Sequence, residues 1–141
     1  MLGFGPLHRP FDLYRANLSG QRLPGDDFRD ANLTRSNLSG ADLELANLSG
    51  ARLGGVVGQA NLRGADLTGA NLSGAWLNDA SRERPGHRGP DLTGADLTGA
   101  NLSGASLSNV DLSGAKNLDK ACGNAKTELP ESLTLNPCPT R

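Results

Sequence analysis

Side chains that could do chemistry are few and scattered in this sequence. His8 and His87 are the two histidines, and neither belongs to a group of Cys, His or acidic residues with the spacing of metal ligands. Neither suggests by its spacing a Ser/His/Asp or Cys/His arrangement for nucleophilic catalysis. The glycines recur singly every five residues, unlike the GxGxxG and GxxxxGK loops that bind phosphate. The sequence therefore predicts a protein that is not an enzyme and that has no catalytic, metal or cofactor site.

The composition of the chain excludes further classes of function. Only 4% of the residues are aromatic and 36% are hydrophobic, which is little for a conventional globular core, whereas the regular spacing of Leu argues against disorder. The formal net charge of -1 shows neither the basic excess of a nucleic-acid-binding protein nor an acidic excess, so we expect no direct binding to nucleic acid. No apolar stretch approaches the roughly 18 residues of a membrane span, and the first residues lack the pattern of a signal peptide.

A five-residue phrase is repeated along most of the chain. Its central residue is nearly always Leu, and these residues follow one another at intervals of five from Leu13 to Leu112. That spacing would scatter Leu around an α-helix and alternate it between the two faces of a strand. A chain that buries every central residue must therefore turn once per repeat. We expect Ala and Leu to point inward, Asn or Asp to point outward, and the last two residues to form a corner.

The consensus A-(D/N)-L-x-x resembles that of the pentapeptide repeat proteins. ANLSG stands at 16–20, 46–50, 70–74 and 100–104, and ADLTG stands at 65–69 and 95–99. The resemblance implies an all-β fold, a right-handed quadrilateral β-helix with four repeats in each coil. About five coils would fit in this chain, which gives a rod about 25 Å long at roughly 4.8 Å per strand layer.

The repeats divide the chain into three parts. We expect the β-helix to span residues 11–115, with an interruption by a loop at 78–90. An N-terminal cap is expected at 1–12, where Phe4, Leu7 and Phe11 supply a small lid. A C-terminal cap is expected at 116–141, because a solenoid has open ends that must be covered. We expect a monomer or a weak end-to-end dimer.

The first break in the repeat lies after Leu53. Val57 follows it by four residues, which predicts the deletion of one residue, with Val57 at a central position. In that register Val56 and Trp76 are twenty residues apart and occupy adjacent outward positions that Asn or Asp normally holds. Two alternatives stay open: an exposed apolar contact patch, or burial of Trp76 beneath the loop that follows it.

The second break separates Leu77 from Leu92 by fifteen residues. Charged side chains would then fall at central positions, and they cannot line a narrow apolar core. Segment 78–90 is therefore expected to leave the coil as a loop, after which the coil resumes in phase. The loop carries a basic cluster with one histidine, made of Arg82, Arg84, His87 and Arg88. Both a solvated insertion and a loop that contacts a partner agree with this pattern.

Charged residues on neighbouring rungs give further predictions. Arg15 and Arg35 are twenty residues apart and should stack, with Arg52 nearby in the next coil. This basic ridge is either a solvated face or a surface that attracts an acidic partner. Opposite charges are expected to stack as well, with Arg22 beside Asp42.

A further stacked pair depends on the predicted deletion. Glu44 is expected beside Arg63, nineteen residues later, because one residue is missing between them. Opposite charges on neighbouring rungs would support this register.

Two cysteines lie in the C-terminal tail. Cys122 and Cys138 form an even pair within one segment, which favours a local disulfide that fixes the cap. The tail also resembles the endings of exported members of the family. We expect a periplasmic or secreted protein if the pair is oxidised and a leader is missing, and otherwise a cytoplasmic one.

These observations favour a bacterial pentapeptide repeat protein that acts as a rigid, non-catalytic scaffold or protein–protein interaction module for an unidentified protein partner. The resemblance also implies an alternative, because some family members mimic duplex DNA and bind type II topoisomerases such as DNA gyrase. The near-zero charge, the basic ridge and the Cys-bearing tail depart from those mimics. Asp91, Asp96 and Asp111 keep the alternative open.

Overall fold

The computed structural model describes six stretches of the chain, namely residues 10–54, 60–62, 64–77, 90–108, 110–130 and 133–139. Regular elements within them are short: a 3-10 helix at Leu118–Lys120, strand β1 at Cys122–Gly123 and strand β2 at Asn136–Pro137. Most of the remaining order comes from single parallel bridges between residues twenty or more positions apart. No helix in these stretches is long and apolar enough to cross a membrane.

The bridges run in four ladders, and each ladder forms one face of the coil. Face 1 carries Asp12, Asn32, Arg52, Trp76, Ser106 and Glu128. Face 2 carries Asn17, Asn37, Asn61 and Asp91. Face 3 carries Arg22, Asp42, Asp66, Asp96 and Lys116. Face 4 carries Asp27, Asn47, Asn71, Asn101 and Cys122. Consecutive repeats occupy consecutive faces, so the chain circulates around a four-sided core.

Ala and Leu fill this core as the sequence predicts. The central Leu residues from Leu33 to Leu77 are at most 1% exposed, and the Ala residues that precede them are buried with them. The void between the Leu side chains of the later coils has a volume of only about 10 Å³, roughly the space of one water molecule. In this described part of the coil the interior is thus a packed column of small and branched side chains with no room for a small-molecule ligand.

Each corner is a β-turn that the repeat closes with its own side chains. In the repeat around Leu72, the Ala75 amide donates to the Leu72 carbonyl at 3.0 Å, and Gly74 has a φ of 66°. A positive φ at the third residue of the turn is typical of a type II turn and favours Gly. Asn71 Oδ1 accepts from the amide of Ser73 at 3.0 Å and from its hydroxyl at 2.7 Å. The outward Asn or Asp therefore stabilises the corner as well as facing solvent.

The predicted deletion after Leu53 is wrong, because the chain contains an insertion there. The corner hydrogen bond that normally joins residues three apart joins the Ala60 amide to the Leu53 carbonyl at 2.8 Å. Arg52 on face 1 and Asn61 on face 2 are therefore neighbouring repeats although they are nine residues apart, four more than a regular step. Asn61 and the residues beside it complete the A-N-L phrase that follows Arg52 around the coil. Val57, which was predicted at a central position, lies outside the described residues.

The corrected register also moves the charge pairs. The amide of Leu45 donates to the Thr68 carbonyl at 2.9 Å, which places the corner that contains Glu44 beside Thr68. The predicted stacking of Glu44 on Arg63 is therefore wrong, since Thr68 occupies the rung next to that corner. Arg63 itself lies outside the described residues.

After the second break in the repeat, the coil resumes in the register that the sequence predicts. Trp76 on face 1 and Asp91 on face 2 are fifteen residues apart, ten more than a regular step. The Asp91 amide donates to the Ala60 carbonyl at 3.3 Å, which continues the ladder of face 2. Pro90, predicted to belong to the loop, is buried at the inward position that Ala holds in other repeats, and residues 78–89 lie outside the described part of the chain.

A disulfide between Cys122 and Cys138 closes the C-terminal end, with the two Cα atoms 4.6 Å apart. Cys122 ends the ladder of face 4, and β1 pairs in parallel with β2, so that the tail adds one more rung there. The Cys138 amide donates to the Gly123 carbonyl at 3.1 Å beside the bridge. The half-buried Leu118, Leu129 and Leu135 pack against the end of the core.

Reduction of this disulfide is expected to destabilise the protein by roughly 3 kcal/mol, because the bond closes a loop of 16 residues. Urea denaturation of the full chain with and without reductant measures the loss. A variant with Cys122→Ser and Cys138→Ser should show the lower stability under both conditions. Two reactive thiols in the denatured, unreduced protein would contradict the prediction.

Candidate interaction surfaces

Trp76 is a large aromatic side chain exposed on a flat, rigid face. Its side chain is 58% exposed, whereas Ala75 and Leu77 on either side of it are buried. The Trp76 amide donates to the Ala51 carbonyl, and its own carbonyl accepts from the amides of Leu53 and Gly54, all at 2.9 Å. Because both neighbours point inward and the backbone is paired on both sides, the indole has to project outward.

The neighbours of Trp76 differ from those that the sequence predicts. Arg52 and Ser106 bridge to Trp76 on either side along face 1. The prediction that Val56 lies one rung away is wrong, because the insertion shifts the register and brings Arg52 to that position. Val56 itself lies outside the described residues. Face 1 therefore presents an aromatic ring beside a guanidinium group instead of an apolar pair.

The other predicted contacts of this region fall in segment 78–90. Its basic cluster lies outside the described residues, and it comprises Arg82, Arg84, His87 and Arg88. The start of this segment follows directly after Leu77, the buried neighbour of Trp76. Any contact between this cluster and a partner stays a prediction.

The predicted basic ridge divides into two columns. Arg15 and Arg35 occupy equivalent corners between faces 1 and 2, with φ values of 62° and 61°. The Arg15 amide donates to the Thr34 carbonyl at 3.1 Å, so the two corners stack. Arg52 lies on face 1 itself, beside Trp76. The Arg15 guanidinium stands 5.8 Å from the centroid of the Tyr14 ring, within the range of a cation–π contact.

An acidic ladder that the sequence analysis missed runs along face 3. Asp42, Asp66 and Asp96 occupy successive rungs, with Arg22 before them and Lys116 after them. Arg22 Nε lies 4.0 Å from Asp42 Oδ2, which confirms the predicted stacking of that pair. The correct register was needed to find this ladder, because the predicted deletion separates Asp42 from Asp66.

Asp96 is held in its charged form by hydrogen bonds. The Thr98 hydroxyl donates to Asp96 Oδ1 at 2.7 Å, and the Asn117 side-chain amide donates to the same oxygen at 3.0 Å. These two bonds, together with the Thr98 amide and the charge of Lys116, lower the pKa of Asp96 from 3.8 to about 2. The hydroxyl of Thr98 makes the largest contribution.

Leu45 is a second exposed apolar side chain, and the sequence analysis did not single it out. It occupies a corner at which most repeats have Gly, with a φ of 59°, a conformation that costs a residue with a Cβ roughly 1–2 kcal/mol. The side chain is 67% exposed and lies over Gly69 of the next coil, where a Cβ would collide with it. The signal in the sequence is the Leu at the last position of a repeat.

The described residues contain no group of three or more His, Cys, Asp or Glu side chains placed to hold a metal ion.

A family model of pentapeptide repeats matches residues 12–50, 46–81 and 88–122, with eight copies of the repeat. The chain belongs to the pentapeptide repeat family. The four ladders form a four-sided β-helix, in agreement with the fold that the family resemblance implies. Proteins of the family are in general structural or interaction proteins.

Several solved structures are similar to the chain. Rfr23, a pentapeptide repeat protein from the cyanobacterium Cyanothece 51142, is 29% identical, with 84% of this chain and 90% of that chain covered and a TM-score of 0.41. HetL from Nostoc sp. strain PCC 7120, which is involved in the regulation of heterocyst differentiation, is 29% identical over 89% of this chain and 63% of that chain, with a TM-score of 0.34.

QnrB1, a plasmid-mediated fluoroquinolone resistance protein, is 18% identical over 74% of this chain and 58% of that chain, with a TM-score of 0.34. The search of curated proteins finds no significant match.

Replacement of Asn117 by Gly is expected to raise the pKa of Asp96. Gly tolerates the φ of 58° at this position, so the change removes the amide donor without adding backbone strain. The lowered pKa contributes stability above pH 3.8 that is lost as the pH falls through about 2. In the variant this contribution should be smaller, and its loss should be complete at a higher pH. NMR titration of the carboxyl groups measures the shift.

Asn136→Gly is the matched control for this measurement, because the Asn136 side-chain amide donates to the Asp119 carbonyl in the same cap and not to Asp96. The control should leave the pKa of Asp96 unchanged. An unchanged value in the Asn117→Gly variant would show that the amide does not act on Asp96.

Proposed function

We propose that this pentapeptide repeat protein is a rigid, non-catalytic scaffold that binds a protein partner through face 1, with Trp76 at the centre of the contact. The observation that carries this proposal is the exposed indole on a backbone that is hydrogen-bonded on both sides. Polar and small side chains occupy most outward positions of the coil. A Trp at such a position has no packing role in the core, because Ala75 and Leu77 fill that layer.

The residues around Trp76 suit protein recognition. Trp and Arg are enriched among the residues that dominate binding energies at interfaces, and Arg52 lies on the adjacent rung. A rod of about five coils loses little conformational freedom when it binds, which lowers the cost of association. The basic segment 78–90 follows Leu77 directly in the sequence, so we infer a partner with an apolar pocket and an acidic rim.

Capture of partners from an extract tests this function. Immobilised wild-type protein should retain a partner that the Trp76→Ala variant retains at least about tenfold more weakly, since an interface Trp commonly contributes 2 kcal/mol or more. A variant without residues 78–89 should also retain less of it. Leu45→Ala is the matched control, because Leu45 is likewise exposed but lies at a corner beyond face 3. Equal capture by Trp76→Ala and wild type would refute the proposal.

A second candidate function rests on the acidic ladder of face 3. Asp42, Asp66 and Asp96 stack at a spacing of about 4.8 Å, comparable with the charge spacing along one DNA strand. This arrangement supports a protein that mimics duplex DNA and binds a type II topoisomerase. The net charge of -1 and the flanking Arg22 and Lys116 favour the scaffold function instead.

A supercoiling assay with purified DNA gyrase separates the two functions. The scaffold function predicts no effect of micromolar protein on supercoiling. Inhibition by the wild type that Asp66→Asn weakens and Asp12→Asn on face 1 leaves intact would favour the DNA mimic over the scaffold.

A further inference from the structure

Two arginines occupy corner positions at which most repeats have Gly. Arg15 and Arg35 have φ values of 62° and 61°, in the left-handed region that is strained for a residue with a Cβ. In the described chain, ten residues with positive φ are Gly. Both arginine side chains are exposed, so packing in the core does not compensate for this strain. Such strain at a surface position is typical of a residue that is needed for binding.

The two corners lie on neighbouring rungs and carry the same charge. The Arg15 amide donates to the Thr34 carbonyl at 3.1 Å, so the corners stack at the strand spacing of about 4.8 Å. Because the two turns share the same φ and the same closing hydrogen bond, their Cα–Cβ bonds are nearly parallel. Like charges on neighbouring rungs repel each other. A bound anion would offset this repulsion.

The acidic residues closest in sequence to the two arginines have other contacts. Asp12 Oδ1 accepts from the Tyr14 amide at 3.2 Å and from the Asn32 side-chain amide at 3.1 Å. The carboxylate of Asp30 lies over Gly50 of the next coil. Both carboxylates are thus engaged elsewhere.

The flanking chain adds no negative charge. Segment 1–9 comes before the first rung of face 1 in the sequence, segment 55–59 comes after the third rung, and neither contains Asp or Glu. Neither of the two ion pairs between described residues includes Arg15 or Arg35. The corner is therefore a concentrated positive charge on the described surface.

Tyr14 positions one of the two guanidinium groups. Its ring is 41% exposed, and the Arg15 guanidinium stands 5.8 Å from the ring centroid, within the range of a cation–π contact. The N–H groups of a guanidinium lie in its plane, so a contact over its face leaves them able to donate. The ring thus orders Arg15 without using its hydrogen-bond donors.

A phosphate monoester matches the charge of the two arginines. Guanidinium groups donate two parallel hydrogen bonds to a phosphate or a carboxylate. A phosphate monoester carries nearly two negative charges at pH 7 and has three acceptor oxygens, so one group can accept from both arginines and balance both charges. A carboxylate has a single charge and two oxygens, which suffice for one guanidinium. The corner therefore suits a phosphoryl group better than an acidic side chain.

We propose that Tyr14, Arg15 and Arg35 form a binding site for the dianionic phosphoryl group of a phosphate ester. The two arginines donate to its oxygens, and Tyr14 positions Arg15. The site lies at the corner between faces 1 and 2, two rungs from Trp76 along face 1, and it acts independently of the partner surface at Trp76.

NMR titration of the full, oxidised, isotopically labelled chain with inorganic phosphate at constant ionic strength tests this site. The guanidinium N–H signals of Arg15 and Arg35 should shift together and saturate. Arg15→Gly and Arg35→Gly should each weaken binding at least about tenfold, because each removes a charge-assisted pair of hydrogen bonds. Without phosphate, both variants should melt at least as high as the wild type, because Gly relieves the strain of a positive φ. A loss of binding is then not a loss of folding.

Two further variants control for the backbone and for the charge. Leu45→Gly makes the same backbone change, because Leu45 is also an exposed corner residue with a positive φ, of 59°. Arg22→Gln removes a positive charge from face 3. Both variants should bind phosphate as the wild type does. Trp76→Ala should do so as well, which separates this site from the proposed function.

A peptide with one phosphoserine, and the same peptide with Glu in its place, test the class of ligand. The Glu peptide should bind at least about tenfold more weakly, because it carries one charge in place of nearly two. Tighter binding of the phosphoserine peptide than of inorganic phosphate would assign the phosphoryl group to a protein, and equal affinity would assign it to a small phosphate ester. Equal binding of the two peptides would overturn the proposal. So would phosphate shifts that do not saturate, or an equal loss of binding in Arg22→Gln and Arg35→Gly.

Discussion

The corner of the repeat is the constraint on which the structure depends. Each face of the coil is only three residues long, so the chain must turn a corner after every face. Every repeat therefore uses two of its five residues for a turn. In most repeats the side chain of the outward Asn or Asp accepts from the amide of the second turn residue, as Asn71 does from Ser73. Most turns also need a residue that tolerates positive φ, which is usually Gly. Because these needs are met within the repeat, the core can be built almost entirely from Ala and Leu.

Because the core and the corners of the coil are fixed by packing and turn geometry, the residues at outward positions can vary without changing the backbone. Residues at inward and corner positions are chosen for packing and turn geometry, and they leave the outward position free to vary. Trp76 and Arg52 use that freedom on face 1, and Asp42, Asp66 and Asp96 use it on face 3. The protein can thus carry a recognition surface without any change in the core beneath it, since the backbone bridges of each rung are the same whichever side chain projects.

Within the described residues, the two ends of the rod differ. A β-helix ends in backbone groups that the next coil would have paired. At the C-terminal end the chain supplies one more rung through Asn136–Pro137 and locks it with the disulfide to Cys122. At the other end Leu13, Leu18 and Leu23 stay half-buried within the described structure.

The sequence by itself determined the repeat, the inward Ala and Leu, the outward Trp76, the resumption of the coil at Asp91 and the pairing of Cys122 with Cys138, because spacing and residue type are local properties. The tertiary structure decided the register across Leu53. A Val four residues on and a Leu nine residues on both suit a central position, and only the hydrogen bond from Ala60 to Leu53 distinguishes a deletion from an insertion. That choice sets which side chains meet on neighbouring rungs, so Arg52 rather than Val56 stands beside Trp76, and Asp66 stacks on Asp42.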